Sequence, residues 1–154
     1  KEGSGIVMKI YIGADHAGFE MKEVLKKYLA DLKYEVEDKG AFKYQPEDDY
    51  PDFVFPVAKA VAADPESQGI VIGGSGQGEA MTANRVKGAR ATVFYGGNFE
   101  IVELSRKHND ANILSLGARF IDDEIAKKAV KLWLETPFEG GRHTRRIAKI
   151  DSNG

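Results

Sequence analysis

Short apolar runs alternate along this chain with longer segments in which apolar residues recur at helical spacing. The apolar runs lie at residues 8–13, 34–36, 69–72, 90–95 and 111–117. Helical segments follow them: residues 17–32, residues 51–63, a segment from a glycine-rich loop to about Arg85, residues 99–107, and a last helix that Asp122 or Asp123 can cap. Five repeats of strand followed by helix predict a five-stranded parallel sheet that is covered by helices on both faces.

Length and composition fit one domain with its own hydrophobic core. The chain has 154 residues, of which 42% are hydrophobic and 30% are charged, and we find no internal repeat, low-complexity segment or domain boundary. Residues 1–7, which include Lys-Glu-Gly-Ser-Gly, are interpreted as an expression remnant or a frayed start, with Met8 as the natural start. We therefore expect a single domain over residues 8–154.

Charge and residue types exclude several classes of function. The formal net charge of −2 gives no reason to expect binding to nucleic acid or to a membrane surface. No apolar run approaches the roughly 20 residues that span a bilayer. The chain has no cysteine, only three histidines and no H-E-x-x-H motif, so neither disulfides nor a transition-metal site are expected. We see no targeting signal, and the cytoplasm is the default expectation.

Three motifs lie where strands are predicted to end, and ligands of parallel sheets bind beyond the carboxyl ends of the strands. The motifs are residues 13–18, 73–79 and 117–119. In the first, Asp15 could cap the following helix or serve as a catalytic acid or base, and the sequence alone leaves these two roles balanced. The adjacent His16 favours a functional role, because a cap needs no imidazole whereas an anion site at a helix N-terminus can use one.

The second motif, Gly-Gly-Ser-Gly-Gln-Gly-Glu, is a loop rich in backbone N–H groups with a carboxylate at its end. It is not a dinucleotide fingerprint, because Glu79 stands where the third glycine is needed, and no Gly-Lys-Ser/Thr follows as in a Walker A loop. The remaining interpretation is an oxyanion site beside a base, which suits proton abstraction next to a carbonyl. Taken alone, Glu79 would rather be interpreted as a favourable charge in a first helical turn.

Two further groups of polar residues lie outside these loops. His108 and Asn109 stand between a helix and a strand, where a plain surface histidine is the alternative interpretation. Arg142 and Arg146 are four residues apart, so in a helix they would share a face on which a phosphate could accept two charge-assisted hydrogen bonds. The alternative for this second group is a solvated basic turn.

Five segments of the chain together carry a family resemblance. They are GADHAGFEMKE (13–23), DYPDF (49–53), GGSGQGEAMTANR (73–85), SRKHNDANILSLGAR (105–119) and TPFEGGRHTRR (136–146). In this order they resemble the type B ribose-5-phosphate isomerase family, which also includes allose-6-phosphate and galactose-6-phosphate isomerases. The resemblance runs from Met8 to about Asp151. It implies a Rossmann-like three-layer α/β/α sandwich, a homodimer or homotetramer with active sites at the subunit interface, and a cofactor-free aldose–ketose isomerisation of a sugar phosphate through an enediolate.

The resemblance also implies roles for individual residues. Asp15 and His108 would open the sugar ring, and Asn109 would assist at the sugar. The reacting oxygens would contact Ser75 and the loop around it, namely Gly74, Gly76, Gln77 and Gly78. The phosphate would be held by His16, Arg119, Arg142 and Arg146, some of them from the partner chain.

One position departs from many members of that family. Those members carry a cysteine base just before the Gly-Ser/Thr-Gly turn, where this chain has Gly73. A second subgroup uses a glutamate at the end of the loop, and Glu79 fits that subgroup. The leading hypothesis is therefore a ribose-5-phosphate isomerase. An isomerase of a six-carbon aldose phosphate is the first alternative, and a non-catalytic sugar-phosphate or nucleotide binding module is the second.

Overall fold

Five parallel strands of residues 8–153, the part of the chain that the computed structural model describes, form one sheet in the order β2-β1-β3-β5-β4. The strands are β1 (Lys9–Ala14), β2 (Glu35–Asp38), β3 (Ser67–Gly73), β4 (Ala91–Phe94) and β5 (Ile113–Gly117). The helices are α1 (Phe19–Asp31), α2 (Pro51–Ala63), α3 (Gln77–Ala83), α4 (Glu100–Lys107), α5 (Asp123–Glu135) and α6 (Arg142–Ser152). The prediction about residues 1–7 lies outside the described residues.

Different helices cover the two faces of the sheet. Ile70 and Ile72 of the central strand β3 pack in one cluster with side chains of α1, α4 and α5, whereas Val71 packs in a second cluster with α2 and α3. Neighbouring strand residues point to opposite faces, and every residue of β3 is buried. The sheet is therefore covered on both sides, and the predicted three-layer α/β/α sandwich is confirmed.

Local signals in the sequence set two of the helix starts as predicted. At the start of α5, Asp122 accepts a hydrogen bond of 2.9 Å from the backbone N–H of Ile125. Pro51 is the first residue of α2, where its missing N–H costs no helical hydrogen bond. Pro56 lies inside α2, and the helix continues past it to Ala63.

Two helical segments differ from the prediction. Asp15 accepts a hydrogen bond of 3.0 Å from the backbone N–H of Ala17 and begins a short 3₁₀ turn. For this reason α1 begins at Phe19 rather than at residue 17. The C-terminal basic segment, for which a helix and a solvated turn were both considered, forms the helix α6, so Arg142 and Arg146 stand one helical turn apart.

A buried ion pair anchors the segment that follows β2 beneath α1. Lys22 is fully buried, and its Nζ lies 2.6 Å from Oδ2 of Asp38 and 2.7 Å from the carbonyl oxygen of Ala41. Lys26 donates to the same Asp38 oxygen at 2.8 Å. Burial alone would raise the pKa of Asp38, but the hydrogen bonds from Lys22 and Lys26 outweigh burial and lower this pKa. The loop over residues 39–50 therefore starts from a fixed point.

We expect Asp38→Asn to lower the free energy of unfolding by about 3 kcal/mol at neutral pH, because it leaves the buried Lys22 without its charged partner. The low pKa of Asp38 means that this stabilisation is complete above the ordinary aspartate pKa and is lost as the pH falls through the folded value. Urea denaturation of the wild type and of Asp38→Asn at neutral and at acidic pH measures the effect. The difference between their free energies of unfolding should become smaller in acid.

The exposed pair of Lys131 and Glu135, with 2.7 Å between Nζ and Oε2, offers a matched control. Glu135→Gln should leave stability almost unchanged, since exposed ion pairs are screened by water. If the two substitutions lower the free energy of unfolding equally, burial of Lys22 does not explain the contribution of the Lys22–Asp38 pair to stability.

Candidate active site

A polar cleft lies at the carboxyl ends of β1, β3 and β5, which are neighbours in the sheet. Its volume is about 420 Å³. All three motifs that the sequence analysis placed at strand ends contribute to it. The lining residues are Asp15, His16, Ala17, Tyr50, Gly74, Ser75, Gly78, Glu79 and Arg119. The sheet order thus brings together side chains that are up to a hundred residues apart in the chain.

Glu79 lies in the first turn of α3 and is only 4% exposed. The helix begins from Gly76, whose φ of 81° is a left-handed conformation that glycine adopts without strain. A Cβ atom at Gly73 would overlap the carboxylate of Glu79. The glutamate side chain therefore fills the space in which a side chain at position 73 would stand.

The electrostatic environment of Glu79 disfavours its charged form. Burial raises the pKa of Glu79, and the nearby negative charge of Asp15 raises it further. Hydrogen bonds from the backbone N–H groups of Glu79 itself and Gly76 act in the opposite direction without cancelling the shift. A carboxylate with a raised pKa is a stronger base than an exposed one, so this environment suits proton transfer.

Asp15 combines the two roles that the sequence left balanced. Its Oδ1 caps the 3₁₀ turn through the N–H of Ala17, while its side chain lines the cleft and is buried. Burial is also the main reason that the pKa of Asp15 is raised, and His16 and the N–H of Ala17 oppose the shift. Capping and a chemical role are therefore compatible for this residue.

Two basic side chains stand beside these acids. His16 lies in the cleft with its Nδ1 4.0 Å from Oδ2 of Asp15. Arg119, which follows β5, lies against Gly74 and is exposed to solvent. A phosphate dianion needs several charge-assisted contacts. The cleft of one chain offers it these two basic side chains next to two acids, which is an incomplete phosphate site.

Four predicted site residues lie elsewhere in the same chain. His108 ends α4, before β5 begins, and its ring stacks on that of His143 at 4.4 Å between centroids. Asn109 lines a separate cavity of about 350 Å³. Arg142 and Arg146 project from α6 and are exposed. This second group, His108, Asn109, Arg142 and Arg146, lies toward the amino ends of the strands, opposite the cleft.

Two residues of the glycine-rich loop, Gln77 and Gly76, do more than line the cleft. The side chain of Gln77 is exposed and belongs to a neighbouring cavity with Tyr95 and Ile101, while its backbone N–H donates to Oγ of Ser75 at 3.2 Å. The N–H of Gly76 is directed to the Glu79 carboxylate rather than to open space. The loop thus supports the base as well as facing the cleft.

Sequence reasoning assigned no role to three residues that lie in or beside these groups. Tyr50 lines the cleft, with its hydroxyl 2.5 Å from where a Cβ atom at Gly78 would be. Asp48 bonds His16. His143 is buried and stacks on His108. Two signals were available in the sequence: the segment DYPDF includes Tyr50, and His143 lies between Arg142 and Arg146.

Two clusters within residues 8–153 contain enough nitrogen and oxygen ligands to be considered for a metal ion. In the cluster of Asp15, His16 and Asp48, the imidazole Nδ1 is already hydrogen-bonded to Asp48 at 2.7 Å. In the cluster of His108, Glu139 and His143, the two rings are stacked with planes 16° apart, so their lone pairs run side by side instead of converging on one point. Neither cluster has the geometry of a built metal centre.

Buried acids next to the backbone N–H groups of a glycine-rich loop are typical of enzymes that move protons on carbon, and the sheet presents them where α/β enzymes bind small substrates. The class is thus a proton-transferring α/β enzyme. The chain belongs to the Ribose/Galactose Isomerase family, whose model matches residues 10–150. It is therefore an aldose–ketose isomerase.

Individual relatives are similar to this chain in sequence and in structure over almost its whole length. Ribose-5-phosphate isomerase B of Mycolicibacterium paratuberculosis is 41% identical over 91% of this chain and 87% of its own. The crystal structure of ribose-5-phosphate isomerase B from Mycoplasma genitalium with bound ribulose-5-phosphate superposes with a TM-score of 0.90 at 39% identity, covering 95% of each chain. That from Clostridium thermocellum gives 0.89 at 43% identity, covering 95% of this chain and 97% of its own.

Of the helices within residues 8–153, none is both long enough and apolar enough to cross a membrane.

We expect Glu79→Gln to raise the melting temperature by a few degrees at neutral pH, since burying a carboxylate here costs stability. The pKa of Glu79 is higher in the folded protein than in the unfolded chain, so the folded protein keeps this proton to a higher pH. Stability is therefore lost as the pH rises through the interval between the two values. Calorimetry of both proteins across that interval should show the difference growing with pH. A difference in melting temperature that is the same at every pH would show that ionisation of Glu79 does not cause it.

Proposed function

We propose that this protein interconverts ribose 5-phosphate and ribulose 5-phosphate by moving a proton between C1 and C2 through an enediolate, without a cofactor. The observation that carries the proposal is the buried Glu79 carboxylate beside the N–H groups of a glycine-rich loop, in a chain of a sugar isomerase family. The choice of substrate is supported by the names of the relatives and by the ribulose-5-phosphate bound to one of them.

Glu79 is the proposed base, in place of the cysteine of other members. An ordinary glutamate, with a pKa of about 4.3, is a weak base toward a carbon acid. Burial and the charge of Asp15 raise the pKa of Glu79, which increases its affinity for the proton. The N–H groups of the loop around Ser75 stabilise the negative charge that develops on the enediolate oxygen, and one such donor is worth roughly 10²- to 10³-fold in rate.

The complete site is proposed to form between two copies of the chain, in a homodimer or homotetramer. Within one chain, the five residues of β5 separate the cleft from the His108 end of the sheet, a distance of about 16 Å at 3.3 Å per residue. His108 is therefore too far to act on a sugar bound at its own chain's Glu79. A second copy that presents its His108, Asn109, Arg142 and Arg146 would add both the missing ring-opening group and the missing cations.

Each assigned residue then has a chemical task. Asp15 and His108 exchange the proton that opens the sugar ring, with Asn109 beside them. The loop residues Gly74, Ser75, Gly76, Gln77 and Gly78 face or support the reacting oxygens. His16, Arg119, Arg142 and Arg146 hold the phosphate. A doubly charged sugar phosphate does not cross a bilayer unaided, and we place the reaction in the cytoplasm for that reason.

The first experiment measures turnover of ribose 5-phosphate without added metal or nucleotide, beside allose 6-phosphate and galactose 6-phosphate. We expect the five-carbon substrate to have the highest kcat/KM. Preference for a six-carbon phosphate would identify the alternative isomerase, and absence of turnover with intact binding would favour a binding module.

We expect Glu79→Gln to lower kcat by at least 10³-fold and to leave the Kd for ribose 5-phosphate nearly unchanged, because the amide keeps the shape but not the basicity. The variant should also stop exchange of the C2 proton with deuterated water, which NMR follows directly. Glu124→Gln, which makes the same change at an exposed glutamate of α5, is the matched control and should retain proton exchange. A folded Glu79→Gln protein with near-normal exchange would place the base elsewhere.

The shared site predicts that two inactive variants complement each other. Glu79→Gln and His108→Asn are mixed after reversible dissociation, so that a hybrid dimer has one site with both changes and one site with neither. Random mixing of such two-fold dimers should restore about a quarter of the wild-type activity. Differently tagged subunits and native mass spectrometry measure how much hybrid is present. Hybrids that form in the expected amount but stay inactive would show that both residues act in the same site.

A further inference from the structure

A carboxylate from a distant loop binds His16 at two points. Oδ1 of Asp48 accepts a hydrogen bond of 3.0 Å from the backbone N–H of His16 and lies 2.7 Å from its Nδ1. Asp48 stands 32 residues further along the chain, in the loop between β2 and α2. One oxygen thus holds both the main chain and the ring of a cleft residue.

The pairing decides which nitrogen of His16 carries a proton. An ionised carboxylate can only accept hydrogen bonds, so Nδ1 must be the donor toward Asp48. Which ring nitrogen is protonated is set by the partner of the other one. With Nδ1–H directed to the loop, Nε2 is the nitrogen that His16 offers to the cleft it lines.

The surroundings of the ring come from several elements. Oδ2 of Asp15 lies 4.0 Å from Nδ1, on the same side as Asp48. The ring of Tyr44 meets the imidazole edge-on at 6.4 Å between centroids. Arg119 is the other cation of the cleft. Both carboxylates near the ring thus face Nδ1.

Asp48 is placed at a cost to stability. Its side chain is 11% exposed, and its Oδ2 is buried with no hydrogen-bond partner within residues 8–153. A buried carboxylate oxygen without a partner is unfavourable, and a residue that only anchored the loop would need no second oxygen and no charge. The neighbouring anchor at Lys22 and Asp38 already fixes the start of this loop.

We propose that Asp48 is a positioning residue for substrate binding: by accepting from Nδ1–H it fixes the ring of His16, so that Nε2, which also carries a proton when the substrate is bound, donates to the phosphate. The proposal rests on the proposed function, because that function gives His16 its phosphate. Within residues 8–153 the side chain of Asp48 makes its hydrogen bonds to His16, and it acts through that residue.

The first test observes the imidazole without any turnover. The chain has three histidines, so His108→Gln and His143→Gln assign the third set of imidazole signals in a ¹⁵N-labelled protein. Long-range ¹H–¹⁵N spectra should show His16 protonated at Nδ1 in the wild type. Asp48→Ala should move the neutral proton to Nε2, whereas Asp48→Asn, whose amide oxygen still accepts, should keep it at Nδ1. Glu47→Ala, an exposed carboxylate of the same loop, is the control and should change nothing.

The second test separates positioning from loop anchoring. Asp48→Ala should raise the KM for ribose 5-phosphate about three- to tenfold with kcat nearly unchanged, as expected when a ground-state contact to the phosphate weakens. In a His16→Ala background, Asp48→Ala should have no further effect on KM. An anchoring role would persist in that background, because the backbone N–H of residue 16 still donates to Asp48.

The outcomes distinguish this proposal from the proposed function. An unchanged His16 tautomer in folded Asp48→Ala, or the same fold-change in KM in both backgrounds, would overturn the positioning role. If Asp48→Ala shows the predicted tautomer shift but the wild-type protein does not turn over ribose 5-phosphate, the proposed function and the phosphate contact are overturned. The control of the His16 ring by Asp48 would then still stand.

Discussion

The carboxylate of Glu79 occupies the space that any side chain at Gly73 would need, and much of the site depends on this one exclusion. Because Gly73 ends the central strand and Glu79 begins the next helix, the acid is brought back over the sheet edge and out of water. Burial there raises the pKa of Glu79, and Asp15 strengthens the shift. A chain with any side chain at position 73 could not hold the glutamate in this place.

The same burial limits how many charges one chain can gather in the cleft. Two acids, one imidazole and Arg119 share it, and further cations of the chain lie at the other end of the sheet on α6. The proposed division of the site between two copies would resolve this conflict, because it would keep the acids apart from most of the cations until the chains associate.

The loop over residues 39–50 links the stability of the fold to the geometry of the site. At its start, the pair of Lys22 and Asp38 fixes it under α1. Near its end, Asp48 binds His16 and Tyr50 enters the cleft. The loop therefore carries groups that shape the cleft. Its polar composition reflects hydrogen bonds to neighbouring elements as much as contact with water.

The sequence by itself determined the parallel sheet, the three strand ends that build the cleft and the cap at Asp122, because hydrophobic period and helix caps are local properties. It also determined that any base must be something other than cysteine. Only the tertiary structure decided that Asp15 caps a turn and lines the cleft at once, that Asp48 reaches His16 across 32 residues, and that His108 lies far from Glu79 of its own chain. These relations depend on strand order and burial, which bring distant residues together or keep them apart and have no local signal.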